Sequence, residues 1–464
     1  HLSVQLTEDG RPGGNGTAEV HLENVAFRHG VSADNGGALS IRGARVMLYN
    51  CEVSDNLATL AGGGIAVLSA DLDALELAHT HLFRNVAETG GSVYVAAGAE
   101  AYLFGVWMYE NKAVYGGAVY VDGTGTLVVD EESKVGPLNR GKYGGGGIFG
   151  GRGAYIRITG GSEVIGNEVN DTTLDHLMVH LDANHTRIGE GLGILGGGGI
   201  LVAGHNEMLI NQSCVVRENT VSLMRSDTYE AGGGGVAVGE NSSLLVTHGS
   251  EVAENHVLGG GVGGGVLVGA LGSTVKLTQG SRIHGNAADS GGGVGSVSAG
   301  GVRMEVTTGS HVTLNVALDR GGGLYAASLS TIHVAGGNIS GNSAQFGGGL
   351  YMGSSGNVIV EQKAELGFNT AMMSGGGFWT GKLTVVQLTA SAALRGNSAA
   401  TEYGGGGCTD GENTLYLNTF TISSNAAGAT PLTRLSLVYT NPPPLDLGLH
   451  LLSCPPRNCP KTFL

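Results

Sequence analysis

One arrangement of apolar, polar and small positions recurs along nearly the whole chain. An aliphatic residue is followed, three places on, by Asn. A small apolar residue comes two places later, then a short spacer, a glycine run and an alternating apolar stretch. Ile339, Asn342, Ala344, Gly347-Gly348-Gly349 and Leu350-Tyr351 form one instance. Val312, Asn315, Ala317 and Gly321-Gly322-Gly323 precede it, and Leu366, Asn369, Ala371 and Gly375-Gly376-Gly377 follow. The asparagines in this register are Asn56, Asn85, Asn111, Asn139, Asn167, Asn219, Asn255, Asn286, Asn315, Asn342, Asn369, Asn397 and Asn425. Gly30, three places after Phe27, holds the same position one unit before Asn56, which makes 14 registers. Most spacings are 26 to 31 residues; the exceptions are 52 after Asn167 and 36 after Asn219.

A unit of about 28 residues cannot bury its own apolar side chains, and stacked units bury them continuously. The glycine runs would weaken any helix interior. Stretches such as Thr331-Ile332-His333-Val334 and Asn357-Val358-Ile359-Val360 alternate with the period of a strand. The pattern predicts an all-β, single-domain parallel β-helix of about 14 coils, right-handed, with three short strands and three corners per coil. Stacked at the usual strand spacing, the coils would form a rod on the order of 65 Å long. The asparagines are expected to occupy left-handed corners and to bond amide to amide from coil to coil.

Residues 1–26, with Val20, Leu22 and Val25, read as an entering strand and cap. Residues 27–428 read as the solenoid and 429–464 as a C-terminal cap or tail. Two insertions interrupt the period, 168–195 and 220–231, and loops on a repeat scaffold are where function concentrates. The chain starts at His1 rather than Met, so it is expected to be a processed form or part of something longer.

Composition narrows the classes. The 86 glycines accompany only 9 prolines, which excludes collagen. A net charge of −15, with no basic stripe, argues against nucleic acid as a partner. No apolar run is long enough for a membrane-spanning helix. Of the five cysteines, Cys454 and Cys459 flank a short loop and form a candidate disulfide. Six N-x-S/T sequons, Asn15, Asn170, Asn184, Asn211, Asn241 and Asn338, are candidate glycosylation sites, and none coincides with a ladder asparagine.

The units resemble those of chlamydial polymorphic outer-membrane proteins. Gly36-Gly37-Ala38-Leu39 and Gly116-Gly117-Ala118-Val119 match the GGA(I/L/V) motif, and Ile339 to Asn342 is similar to FxxN, with an aliphatic residue in place of Phe. The resemblance covers roughly residues 27–425 and implies an autotransporter-like β-helical passenger used in adhesion. Similar repeats occur in surface proteins of algae and other protists.

Three groups of residues carry candidate chemistry. Asp289 and Asp319 with Arg320 stand at similar registers and could pair for acid–base work, but solvated corners are the simpler reading. His176, His180 and His185 with Asp175 and Asp182 have metal-ligand residue types; a solvated polar loop is the simpler reading. Tyr94, Tyr115, Tyr120, Tyr325, Tyr351 and Trp379 border glycine runs and could stack on sugars, or pack inward. Matches to GxGxxG lack the strand–helix context of a phosphate loop. The expectation is therefore a non-enzymatic extracellular scaffold in a surface layer, appendage or filament. It needs no cofactor and no metal, and its partners would be other protein chains and glycans. An adhesin-type module is the alternative, and a carbohydrate-active enzyme a weaker one.

Overall fold

The computed structural model describes residues 2–5, 18–68, 74–170, 194–222, 230–269, 272–297, 300–427 and 452–453. Among them there is no helix; the strands are short, parallel and stacked as a β-solenoid of about 13 turns. The chain divides into two compact units, His1–Gly259 and Gly260–Leu464, and the same coil plan builds each.

The coil after Gly321-Gly322-Gly323 shows the plan. Leu324–Ala326 lies in one sheet, Thr331–Ala335 in a second and Asn338–Ser340 in a third; Ser343–Phe346, beyond Asn342, lies in a fourth. The sequence suggested three strands per coil. The fourth runs from the asparagine to the glycines, where the residues look like a spacer because only two of its four, Ala344 and Phe346, are buried.

Register is strict where one face is buried, because a one-residue slip would turn every side chain over. Ile332 pairs with Val358 and Val358 with Val386; Val334 pairs with Val360 and Val360 with Leu388. All six side chains are buried. Each such burial stabilises by about 1.5–3 kcal/mol. In the first unit Leu75, Ala101 and Leu127 form an equivalent column.

Residues 18–28 are already solenoid. Ala18–Glu23 pairs in parallel with Ala44–Tyr49, and Ala26–Arg28 with Glu52–Ser54. Leu2–Gln5 pairs with Leu39–Arg42. In the second unit Leu452–Ser453 adds to the strand containing Cys408 and Thr409. The insertions fall largely at 171–193 and 223–229, outside the described residues. Their described ends pair regularly, Ile194–Gly196 with Glu230–Gly232.

The glycine triplets have three different reasons. Gly347 has φ +65°. A Cβ on Gly348 would run into the Thr370 backbone of the next coil. One on Gly349 would meet the Gly377 carbonyl and the Asn369 side chain. The third position is the most forgiving: Ala38, Ser92 and Ala118 occupy it in the first unit.

Candidate functional site

The corner between the third and fourth sheets carries the asparagines. In the first unit the Nδ2 of Asn56 donates to the Oδ1 of Asn85 at 2.9 Å, and Asn85 to Asn111 at 3.2 Å. Asn111 and Asn139 continue at 2.9 Å, then Asn167 and Asn219 at 3.0 Å, ending on Asn255. In the second unit Asn286, Asn315, Asn342, Asn369 and Asn397 each donate to the next at 3.0 Å, ending on Asn425.

Each amide does more than touch its neighbour. The Oδ1 of Asn342 accepts from both the Nδ2 and the backbone N–H of Asn315, each at 3.0 Å. Its Nδ2 donates to the Oδ1 of Asn369 and to the carbonyl of Val312 at 2.9 Å. Two donors and two acceptor sites are an amide's full capacity. Val312 lies three residues before Asn315, so the aliphatic residue of the motif supplies the core side chain and the carbonyl together. Gly30 begins the file: its N–H donates to the Oδ1 of Asn56 at 2.8 Å.

The left-handed conformation belongs to the residue before each asparagine, not to the asparagine. Asp55, Arg84, Glu110, Leu138, Glu218, Glu254, Leu314, Phe368 and Ser424 have φ between 54° and 64°, and Gly166, Gly285, Gly341 and Gly396 fill the remaining places. The turn there aims the asparagine's backbone N–H along the stack at the next Oδ1.

Other corners carry smaller polar groups. Cys51, Thr80, Ser133, Ser162, Cys214 and Ser250 share the corner between the second and third sheets. Cys51 N donates to Thr80 Oγ1 at 3.2 Å, and Cys214 N to Ser250 Oγ at 3.2 Å. Cys51 and Cys214 are free, buried thiols, each in the place of a Ser or Thr. Burial pushes the Cys214 thiol up to about 11. Cys454 and Cys459 lie outside the described residues.

Asp319 pairs with the adjacent Arg320 at 3.3 Å, and the Arg320 guanidinium lies over Tyr351, 5.3 Å from its centroid. Asp289 is half-buried on the preceding coil, where Ser290 is the register partner of Arg320. His176, His180 and His185 lie outside the described residues, as do Asn15 and Asn184. Among the described residues no three His, Cys, Asp or Glu side chains gather as metal ligands. Of the other sequons, Asn241 is exposed. Asn170 donates to Glu168 at 2.8 Å, Asn211 accepts from Gln212 N–H, and Asn338 is half-buried in a strand.

The aromatic residues beside the glycines stack in two groups. Tyr94, Tyr120 and Phe149 follow at 5.6 and 4.9 Å between centroids; in the second unit Tyr325, Tyr351 and Trp379 follow at 5.5 and 4.4 Å. They form an outer apolar layer rather than an open stripe. Tyr115 meets Phe149 edge-on, and Phe346 meets Trp379. Tyr115, Tyr120 and Trp379 are buried.

A second aromatic group faces outward. His81, Phe83, Trp107 and Tyr109 project from the outer face of the third sheet, in register His81 with Trp107 and Phe83 with Tyr109. They stand four and two places before Asn85 and Asn111, so the ladder register would have located them as outward positions.

Comparison with family models, with curated proteins and with solved structures finds no match to this chain.

Proposed function

We propose that this chain is a non-enzymatic, extracellular structural scaffold, built for a cell-surface layer, appendage or filament. The observation that carries the reading is the asparagine file, whose buried amides use their hydrogen-bonding capacity on one another and on the backbone. A satisfied buried network fixes one register and resists local opening. Charges on the outer faces also bond between coils: Arg84 to Asp55 at 2.7 and 2.9 Å, Arg45 to Glu76 at 2.9 Å, and Lys276 to Glu305 at 3.3 Å. Those groups serve the stack rather than a reaction. The likeness of Gly36-Gly37-Ala38-Leu39 to the GGA(I/L/V) repeats of surface-displayed passengers points to the same compartment, and the exposed sequon at Asn241 suits it.

The test is electron microscopy of the purified chain over a concentration series. Ordered assemblies with a constant repeat support the scaffold; dispersed particles at every concentration reject it. Uronate-polymer breakdown that disappears in Asp319→Ala would instead establish an enzyme.

A further inference from the structure

We propose that the outer face of the third sheet in the first unit binds an uncharged polysaccharide, on a platform made by Trp107, His81, Tyr109 and Phe83. This goes beyond the scaffold reading and does not depend on it.

The four rings occupy two adjacent coils and two outward positions per strand. Strand spacing and the two-residue repeat set them roughly 5 Å apart across the strands and 7 Å along them. Phe83 and Tyr109 stack at 4.9 Å with planes 6° apart; Trp107 leans on Tyr109 at 5.1 Å, and His81 on Trp107 at 5.8 Å. Trp107 is 42% exposed. Its polar edge is already used, because Nε1 donates to the Gly136 carbonyl at 2.9 Å. What it leaves for a partner is apolar ring surface.

The groups around the rings decide the occupant. Arg28 is paired with Glu52, and Arg84, lying 4.7 Å over Phe83, is paired with Asp55. Lys134, the register partner of Trp107, is 3.9 Å from Glu163. The rim therefore supplies both donors and acceptors, with one further carboxylate, Glu110, beside Tyr109 and Arg84. A sugar polymer presents apolar C–H faces to the rings and hydroxyls to such a rim. An anionic polymer finds no unpaired cation here, and the chain's net charge of −15 opposes it. A protein partner would want a deeper apolar core than four rings supply.

The experiment is affinity electrophoresis of the full chain in gels containing hydroxyethyl cellulose, galactomannan or a soluble β-1,3-glucan, with heparin and polygalacturonate as charged controls. At least one neutral polymer should retard the chain. Trp107→Ala should weaken that retardation roughly tenfold or more, as loss of an aromatic anchor does, while Trp107→Phe keeps most of it. Tryptophan fluorescence gives a second reading. The only other tryptophan, Trp379, is buried, so a sugar-dependent shift should be present in the native chain and absent in Trp107→Phe. The proposal fails if none of the three neutral polymers retards the native chain. It also fails if Trp107→Ala binds as well while melting normally, or if the anionic polymers bind in preference.

Discussion

Leu314 holds a left-handed backbone, φ 58°, with two-thirds of its side chain in solvent and its tip over Gly341 of the next coil. A branched side chain there costs about 1–2 kcal/mol, and glycine returns part of that gain through its freer unfolded chain. Leu314→Gly should therefore stabilise by about 0.5–1 kcal/mol in chemical denaturation, although it deletes an apolar side chain; a loss of stability would show that the tip over Gly341 matters more. Cys214 gives a second residue-scale expectation. With its thiol raised by burial to about 11, almost no thiolate exists at pH 7, and the sulfur is enclosed. Cys214 should resist thiol reagents in the folded protein and react fully in denaturant. The sign follows for alkali: the unfolded thiol ionises first, near its ordinary value of about 8.5, so this group's contribution falls as pH rises from there towards 11.

At the scale of the element, the three glycines of a run should not respond alike. A Cβ on Gly63 would meet the Gly91 carbonyl and the Val86 backbone, which cannot move without breaking the stack. One on Gly64 would meet the Ser92 carbonyl and the Val53 side chain, each at 2.9 Å, and the same place already holds Ala38 and Ala118. Gly63→Ala should cost several kcal/mol, of order 3, and Gly64→Ala about 1 or less; thermal or urea unfolding of the two variants checks the order. The repeat was legible because these places admit few residue types: an amide, a small side chain, or none. The fourth strand was not, since two buried places between Asn342 and the glycines, Ala344 and Phe346, are too few to show an alternation. Nor was the left-handed residue, because Arg84, Glu110, Leu138 and Phe368 hold it by context rather than by preference. The aromatic group was not legible for a related reason: outward positions follow no rule from coil to coil, and His81 and Trp107 align with Glu52 and Lys134.

Over the whole molecule, acidic charge and paired cations set the response to acid. Arg28 and Arg84 hold Glu52 and Asp55 below the ordinary carboxylate range. Groups lowered on folding contribute stability above their unfolded value, about 4, and lose it as pH falls through the folded one. These pairs are exposed, so solvent screens them and each contributes little. Asp55→Asn should melt slightly below the native chain at pH 6, and the difference should vanish near pH 2. The ladder carries far more. Asn342→Leu strips acceptors from two donors on Asn315 and the donor from the Val312 carbonyl, at about 1–3 kcal/mol for each buried group left unpaired. The most direct test is a double-mutant cycle on Asn342 and Asn369, each replaced by Leu, followed by equilibrium urea unfolding. Amides bonded in file should give single losses of several kcal/mol and a coupling of about 1–3 kcal/mol, the double variant losing less than the sum. Two small, additive losses would contradict the file of bonded asparagines.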